Sequence, residues 1–535
     1  NRIMIASHIK TSVRNIRRNK LFSIINIVGL AIGMSVGLLL IAFSHDLSSY
    51  DKFNEKGSRI YRITSHAKFK QGYTDKFAST SVKIGKLIQE KVPGVEETAM
   101  MRTEFSGDAD VNGNVVPLTG MYAEPSVFRI FTLPLLKGNV NTALDEPYSI
   151  VLTETSAKKL FGSEDAFGKA IHVDSVDYQV TGIMKDVPFF SHMQFESLVS
   201  FSTMEPQIAK DQSLLKWANV WQRNYVYLLL PETSIVSDIQ AHIDAICASE
   251  NVMDDEAEIH LTLLPLYDIM LGEELQHSLR PVMSEIVLWI VGGLALVVIL
   301  SACFNYTNLS IARSMRRFKE VGLRKVIGAG QRQVRQQFLA EAVIVSLAAL
   351  LLSLPIFLLL RPQFMSIAPE ILKIVRLEIT VPMVLAFIVF SIVVGMIAGF
   401  LPAIFFAKVS IIHALKDVSA VKVFKGISLR RALVVVQYTL TLVFITSTFI
   451  GYVQYKNILA FDLGFNTENI LNINLQKNKP DELINKLNAM PEVSAVSQSR
   501  LLTSVGNIFG GFVKYKNLRD SALVFTNIVD ENYIP

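Results

Sequence analysis

The chain has 535 residues, of which 50% are hydrophobic and only 19% charged, with a mean hydropathy of +0.37. That balance is too apolar for an ordinary soluble multidomain protein, so part of the chain lies in lipid. The net charge of +5 is modest; where the positive residues fall says more than how many there are, and no nucleic-acid partner is expected.

Five apolar runs are long enough to cross a hydrocarbon core of about 30 Å at about 1.5 Å per helical residue. They cover 21–43, 286–309, 338–360, 381–407 and 432–453. The first is too long for a signal-peptide core and no small-residue cleavage site follows it, so it reads as a retained anchor. Basic residues flank the runs on one side: Arg14, Arg17, Arg18 and Lys20 before the first, eight Lys and Arg from Arg313 to Arg335 between the second and third, and Lys408, Lys416, Lys422, Lys425, Arg430 and Arg431 between the fourth and fifth. By the positive-inside rule these mark the cytoplasmic side. The expected organisation is a cytoplasmic segment at 1–20, an outer domain at 44–285, a cytoplasmic segment at 310–337, an outer loop at 361–380, a cytoplasmic linker at 408–431 and the start of a second outer domain at 454–535.

Within the first run, Gly29, Gly33 and Gly37 form a G-x-x-x-G-x-x-x-G face for close helix packing, a theme repeated by Gly395 and Gly399. The same stretch contains GMSVG, which satisfies the G-x-S-x-G pattern of a hydrolase elbow, but Ser35 is mid-span and lacks the strand-to-helix turn such chemistry needs. The outer segment 44–285 mixes alternating and helical patterns, as expected of an α+β domain. SIVLTETSAKKLFG (149–162) reads as a strand, a Thr153 cap and a helix ending at Gly162, and KAIHVDSVDYQVTGIMKDVP (169–188) as a hairpin. Trp217 and Trp221, four apart, read as neighbours on a helix. His45, Asp46, His192 and His260 show no metal-ligand spacing and read as surface or core groups; no metal site is expected. Cys247 and Cys303 lie in different settings and are not expected to pair.

The segment after the second run, RRFKEVGLRKVIGAGQRQVRQQFLAEAV (316–343), sets cations against small and apolar residues. Glu320 and Arg324 are spaced to pair on a helix, and Phe318, Val321, Leu323, Val326 and Ile327 add apolar surface. Gly322, Gly328 and Gly330 each weaken a free helix by about 1 kcal/mol relative to Ala, which suits close approach of another backbone. Glu341, about one turn into the third span, is a candidate functional acid or a partner for Arg332 or Arg335 at the interface. Asn26, Asn305 and Gln437 read as interhelical hydrogen-bonding groups. An internal echo links YDKFNEKGSRIYRI (50–63) to FDLGFNTENILNIN (461–474), each ending in a strand-like run, so the chain reads as one complete unit followed by the opening of a second.

The stretch ARSMRRFKEVGLRKVIGAGQRQVRQQFLAEAVIVS (312–346) resembles the signature of MacB/FtsX-type ABC transporter permeases, in which a basic segment with E-x-G-x-R-K-x-x-G-A joins the second and third spans. RNIRRNKLFSIINIVGLAIG (14–33), IVLTETSAKKLFG, DYQVTGIMKDVP, LPAIFFAKVSIIHALK (401–416) and LRRALVVVQYTLTLVFI (429–445) resemble other parts of the same family. The resemblance covers nearly the whole chain, and the long two-unit form is typical of Bacteroidetes-like members. Their second half has three more spans, so truncation at Pro535 is expected.

The resemblance implies a polytopic α-helical membrane protein with five spans here, a large extracytoplasmic α+β MacB-like domain and the start of another. It also implies that Glu320, Gly322, Arg324, Lys325, Gly328 and Ala329 dock on a separate cytoplasmic ABC ATPase and transmit its closure to the spans. A second permease half or copy is a further expected partner, with a periplasmic adaptor or outer-membrane component beyond it, and the bacterial inner membrane is the expected location. No phosphate-cradling G-x-x-x-x-G-K-[ST] occurs, so ATP and Mg are expected on the partner and the chain is not expected to be an enzyme by itself. The substrate class, whether peptide, antibiotic or other amphiphile, or lipoprotein, is open. The alternative from a different class is a membrane-anchored sensor or regulatory scaffold controlling an extracytoplasmic partner.

Overall fold

The structure is a computed structural model that describes residue 14 and residues 20–533 except 71–72, 163, 255, 313, 409–423, 462–463, 465–467, 476–478, 503–509 and 515–520. Arg17, Arg18, Arg313, Lys416 and Lys422, which contribute to the three basic clusters, lie outside the described residues, as does most of the 408–431 linker. The chain divides into two compact units. One comprises residues 1–51, 269–274 and 280–463, and the other comprises 52–268, 275–279 and 464–535.

The first unit holds the membrane helices. Helices α1 (Lys20–Ser48), α5 (Glu285–Ala312), α7 (Gln331–Met365), α9 (Val381–Ala407) and α10 (Phe424–Leu459) contain the five apolar runs. Each of the first three begins before its apolar run and ends after it, because helical hydrogen bonding continues into polar flanks where lipid no longer selects the residue type. Three of the glycines singled out by spacing lie close against neighbouring helices. A Cβ at Gly33 would stand 2.9 Å from the Ala302 Cβ on α5, and one at Gly395 would stand 2.7 Å from the Val343 Cα on α7. A Cβ at Gly399 would stand 2.5 Å from that of Ala342. Interhelical hydrogen bonds come from small hydroxyls: Ser346 Oγ donates to Ser391 O at 2.6 Å, and Thr307 Oγ1 to Ala398 O at 3.0 Å. Asn26 does not fulfil the expected role, since it is buried with both amide atoms unpartnered among the described residues.

The second unit is built on an eleven-stranded mixed sheet among the described residues, in the order β11-β1-β10-β3-β4-β9-β6-β8-β5. The strands are β1 (Ile60–Phe69), β2 (Thr74–Phe77), β3 (Glu97–Val111), β4 (Asn114–Ala123), β5 (Leu135–Gly138), β6 (Ser149–Thr153), β7 (Ala170–Val173), β8 (Val176–Met184), β9 (Ser197–Ser200), β10 (Asn224–Leu229) and β11 (Ala257–Pro265). Strand β2 lies on β1, and β7 joins β3 to β8. Helices α2 (Val82–Lys91) and α4 (Val236–Met253) bury Ile84, Ile88, Ile239 and Ile243 against Ile63, Val226, Leu228 and Ile259. A second core of Ile150, Leu152, Leu160, Ile171 and Val180 lies beneath α3 (Glu154–Phe161).

The local readings of this unit hold where turn chemistry was explicit. Thr153 ends β6 and caps α3 by accepting from Ser156 N, and Gly162 closes that helix at φ +63°. Strands β7 and β8 form the expected hairpin. Trp217 and Trp221 are not on a helix: Trp217 is buried with its Nε1 donating to Asn251 Oδ1 at 2.8 Å, whereas Trp221 is 42% exposed and rests on Phe69. The segment is turn-rich because Asp211, Ser213 and Asn219 bond locally to its backbone. The echo at 461–474 ends without a strand: among the described residues 470–474 is part of no sheet. Farther on, α11 (Asp481–Asn488) is followed by the antiparallel pair β12 (Gly510–Lys514) and β13 (Ser521–Phe525).

Candidate functional site

Helix α6 (Ser314–Val326) follows the second span and turns back into α7 through 327–330. Gly328, at φ +104°, ends it with Gly328 N donating to Lys325 O at 3.1 Å and Ala329 N to Arg324 O at 3.0 Å. This reciprocal pattern is a glycine helix stop. Within this chain a Cβ at Gly328 or Gly330 would meet nothing within 4 Å. Gly328 is needed for its left-handed φ, and Gly330 precedes the first turn of α7, its N–H donating to Gln333 Oε1 at 3.0 Å.

Two faces of α6 have opposite uses. Inward, Val321 is 4% exposed and joins Val334 and Phe338 of α7 with Ala403, Phe406 and Ala407 of α9. The Phe338 and Phe406 rings stack at 4.5 Å and 12°. Lys325 Nζ donates to Ala407 O at 2.7 Å, placing a cation on the carbonyl end of α9, where the helix dipole favours it. Partial burial draws the Lys325 ammonium below the ordinary lysine range. Arg324 pairs with Glu320 at 2.7 Å and also donates to Gln337 Oε1 of α7.

Outward, Leu323, Val326 and Ile327 are 57%, 53% and 78% exposed. They stand at i, i+3 and i+4, one stripe along the end of α6 and the first residue of its turn, left uncovered among the described residues.

The six residues singled out by resemblance thus divide. Glu320 is exposed, Gly322 is buried, Arg324 and Lys325 are engaged by α7 and α9, Gly328 is exposed at the turn, and Ala329 is half-buried beside it. Phe338, Phe406 and Gln337 were not anticipated; Phe338 opens its apolar run and Phe406 lies at the end of its own, and nothing in their spacing says that they stack. The division of Val321 from Leu323, Val326 and Ile327 was also hidden, because all four are simply apolar in sequence.

The other candidates fall elsewhere. Ser35 is buried and donates to Ile32 O at 2.7 Å within its own helix, as a packing residue would. Glu341 is buried on α7. Asn305 Nδ2 lies 3.4 Å from the position of a Cβ at Gly29. His192 Nε2 faces Tyr227 Oη at 2.8 Å in the second unit's core, and His260 pairs with Glu258 at 3.3 Å.

The comparisons with known proteins agree with this layout. Residues 23–246 match the MacB-like periplasmic core domain, and residues 292–411 match the FtsX-like permease C-terminal domain, which takes in α6 and its inward contacts. Among relatives, the macrolide export ATP-binding/permease protein MacB of Wolinella succinogenes is 24% identical over 350 residues, 63% of this chain and 50% of its own. The ABC transporter permease YvrN of Bacillus subtilis is 21% identical over 426 residues, 76% of this chain and 99% of its own. The chain therefore spans half the length of the MacB relative and almost all of the Bacillus one. The solved periplasmic region of MacB from Actinobacillus actinomycetemcomitans aligns over 38% of this chain and 89% of its own, at 13% identity and a TM-score of 0.28. With five apolar spans, a mixed α/β domain matched as MacB-like and a permease domain around α6, the chain belongs to the MacB/FtsX-type ABC transporter permeases.

Proposed function

We propose that this chain receives work from a separate ATPase at α6 and passes it through the spans to its extracytoplasmic domain, a mechanotransmission permease. The observation that carries the reading is the exposed stripe of Leu323, Val326 and Ile327 on a helix whose other face is fastened to α7 and α9. An apolar stripe at the aqueous end of a membrane protein is costly unless a partner covers it. An ATPase presenting an apolar groove rimmed by acidic groups for the surrounding Arg and Lys is the partner that a permease of this family needs. ATP and Mg would then be bound by that chain, and this chain would be its non-catalytic membrane subunit.

On the same reading the amino terminus and α6 are cytoplasmic, the location is the bacterial inner membrane, and a second permease half or copy completes the pair that a two-site ATPase requires. The cargo would be a peptide, an antibiotic or other amphiphile, or a lipoprotein, with a periplasmic adaptor or outer-membrane component receiving it in the export case.

The test is co-purification from native membranes in mild detergent, with mass spectrometry and an ATP-turnover assay of the eluate. An ATPase should be recovered with the unaltered chain and lost with Ile327→Asp, which leaves the buried face of α6 intact. Recovery of a kinase or hydrolase regulator in place of any ATPase would favour the sensor or scaffold instead.

A further inference from the structure

Lys325 is assigned by resemblance to the ATPase-facing set, yet its ammonium is committed to the far side of the helix. It donates to Ala407 O in the last turn of α9, one turn along α6 from Val321, which is itself enclosed by Phe338 and Phe406. We propose that Lys325, together with Val321 and the Phe338–Phe406 stack, is a positioning joint that makes α6 and the cytoplasmic ends of the third and fourth spans move as one body. The proposal rests on the mechanotransmission reading, and it divides α6 into an outer face that recruits the ATPase and an inner face that carries the displacement onward.

The physical basis is that the joint contains two unlike contacts acting on one helix end. The Phe338–Phe406 stack, at 4.5 Å, resists separation of α7 from α9, and close-packed aromatic and aliphatic groups transmit strain because they have no slack volume. The Lys325 bond adds a polar tie to Ala407 of the same cluster and opposes rotation of α6 against α9. Removing the bond leaves Val321 seated but lets α6 turn beneath the ATPase without turning α9. The adjacent Arg324 bonds, to Glu320 and to Gln337, hold α6 to α7 alone and do not reach α9.

The experiment uses the whole chain with its co-purified ATPase in lipid nanodiscs. An environment-sensitive fluorophore is placed at Ile379→Cys, just before the outer end of α9 and 41% exposed. The readouts are ATPase retained per chain and the fluorescence change on trapping nucleotide with vanadate. Lys325→Met should keep the ATPase bound while the change shrinks at least about fivefold, the lower end of ordinary coupling between sites. Lys325→Arg should restore it, because the guanidinium can also donate to Ala407 O. Phe406→Leu, a smaller change that keeps the site apolar, should give a partial loss by the same readout and guards against misfolding of any one variant. A full fluorescence change in Lys325→Met would overturn the joint. Loss of the ATPase from Lys325→Met, but not from Phe406→Leu, would return Lys325 to the docking face and overturn it equally. If the unaltered chain retains no ATPase, it is the mechanotransmission reading that fails, and the Lys325 variants are then compared by fluorophore mobility alone.

Discussion

Asp46 and Leu377 are 331 residues apart in sequence, and the Asp46 Oδ2 accepts a hydrogen bond from the Leu377 backbone N–H at 2.7 Å. The same oxygen accepts from Arg376 N at 2.8 Å, and Tyr50, one turn on, donates to Ile374 O at 2.8 Å. Burial pushes the Tyr50 hydroxyl up to about 12, opposed by the nearby Arg280, so it stays a neutral donor at physiological pH. Together they pin the short connection between the third and fourth spans, with its helix α8 (Pro369–Ile374), to the C-terminal end of the first. Sequence reading placed Asp46 among ordinary surface or core groups; it is a buried carboxylate whose charge is met by backbone donors.

Asp46→Ala should therefore cost about 2–3 kcal/mol, because two buried N–H groups lose a charged acceptor. Asp46→Asn, which keeps one carbonyl oxygen, should cost about half as much. Reversible unfolding in mixed detergent micelles measures both, and equal stability of the Ala variant and the unaltered chain would remove the clamp from the account.

The glycine faces predict an order of harm. Gly395→Ala meets the Val343 backbone at 2.7 Å, which cannot swing aside, and should destabilise by about 1–3 kcal/mol. Gly29→Ala meets only Asn305 Nδ2 at 3.4 Å and should be neutral or favourable, since Ala gains about 1 kcal/mol in helix propensity. The same detergent unfolding assay gives both values, and a Gly29 variant harmed as much as the Gly395 one would contradict the close-approach explanation.

Strand β11 is an edge strand whose outer side is closed by two side-chain amides from α4. Asn251 Nδ2 donates to Ile259 O at 2.9 Å while its Oδ1 accepts from Ile259 N at 2.8 Å, and Gln240 does the same for Leu261 O, at 2.8 Å, and Leu263 N, at 3.1 Å. These amides take the place of a twelfth strand and protect an edge that would otherwise pair with another chain. Hydrogen exchange should accelerate at Ile259 but not Leu263 in Asn251→Ala, and at Leu263 but not Ile259 in Gln240→Ala. Uniform acceleration in both would mean general loosening of α4 in place of local capping.

How much of this could be read from the chain differs from element to element. The five spans were legible because lipid imposes a length and a composition that few other environments do. The β6–α3 unit was legible because Thr153 and Gly162 carry their own local chemistry, a capping hydroxyl and a left-handed stop. The stretch around Trp217 was misread, since a four-residue spacing is compatible with a helix but local Asp211 and Asn219 bonds hold it in turns. At α6, the cations and glycines announced a special segment, and the pair of Glu320 with Arg324 followed from their spacing.

The sequence by itself determined the spans, the basic segment between the second and third, and the glycine faces, each being a local pattern enforced by lipid, charge or van der Waals volume. Only the tertiary structure decided that Lys325 turns inward to Ala407, that Phe338 finds Phe406, that Asp46 holds Leu377, and that Leu323, Val326 and Ile327 are left facing out. These pairings join residues 68 to 331 positions apart in the clearest cases, Phe338 with Phe406 and Asp46 with Leu377. Long-range partners are selected by packing among whole helices, and no period or motif along one helix encodes which side of it a neighbour will take.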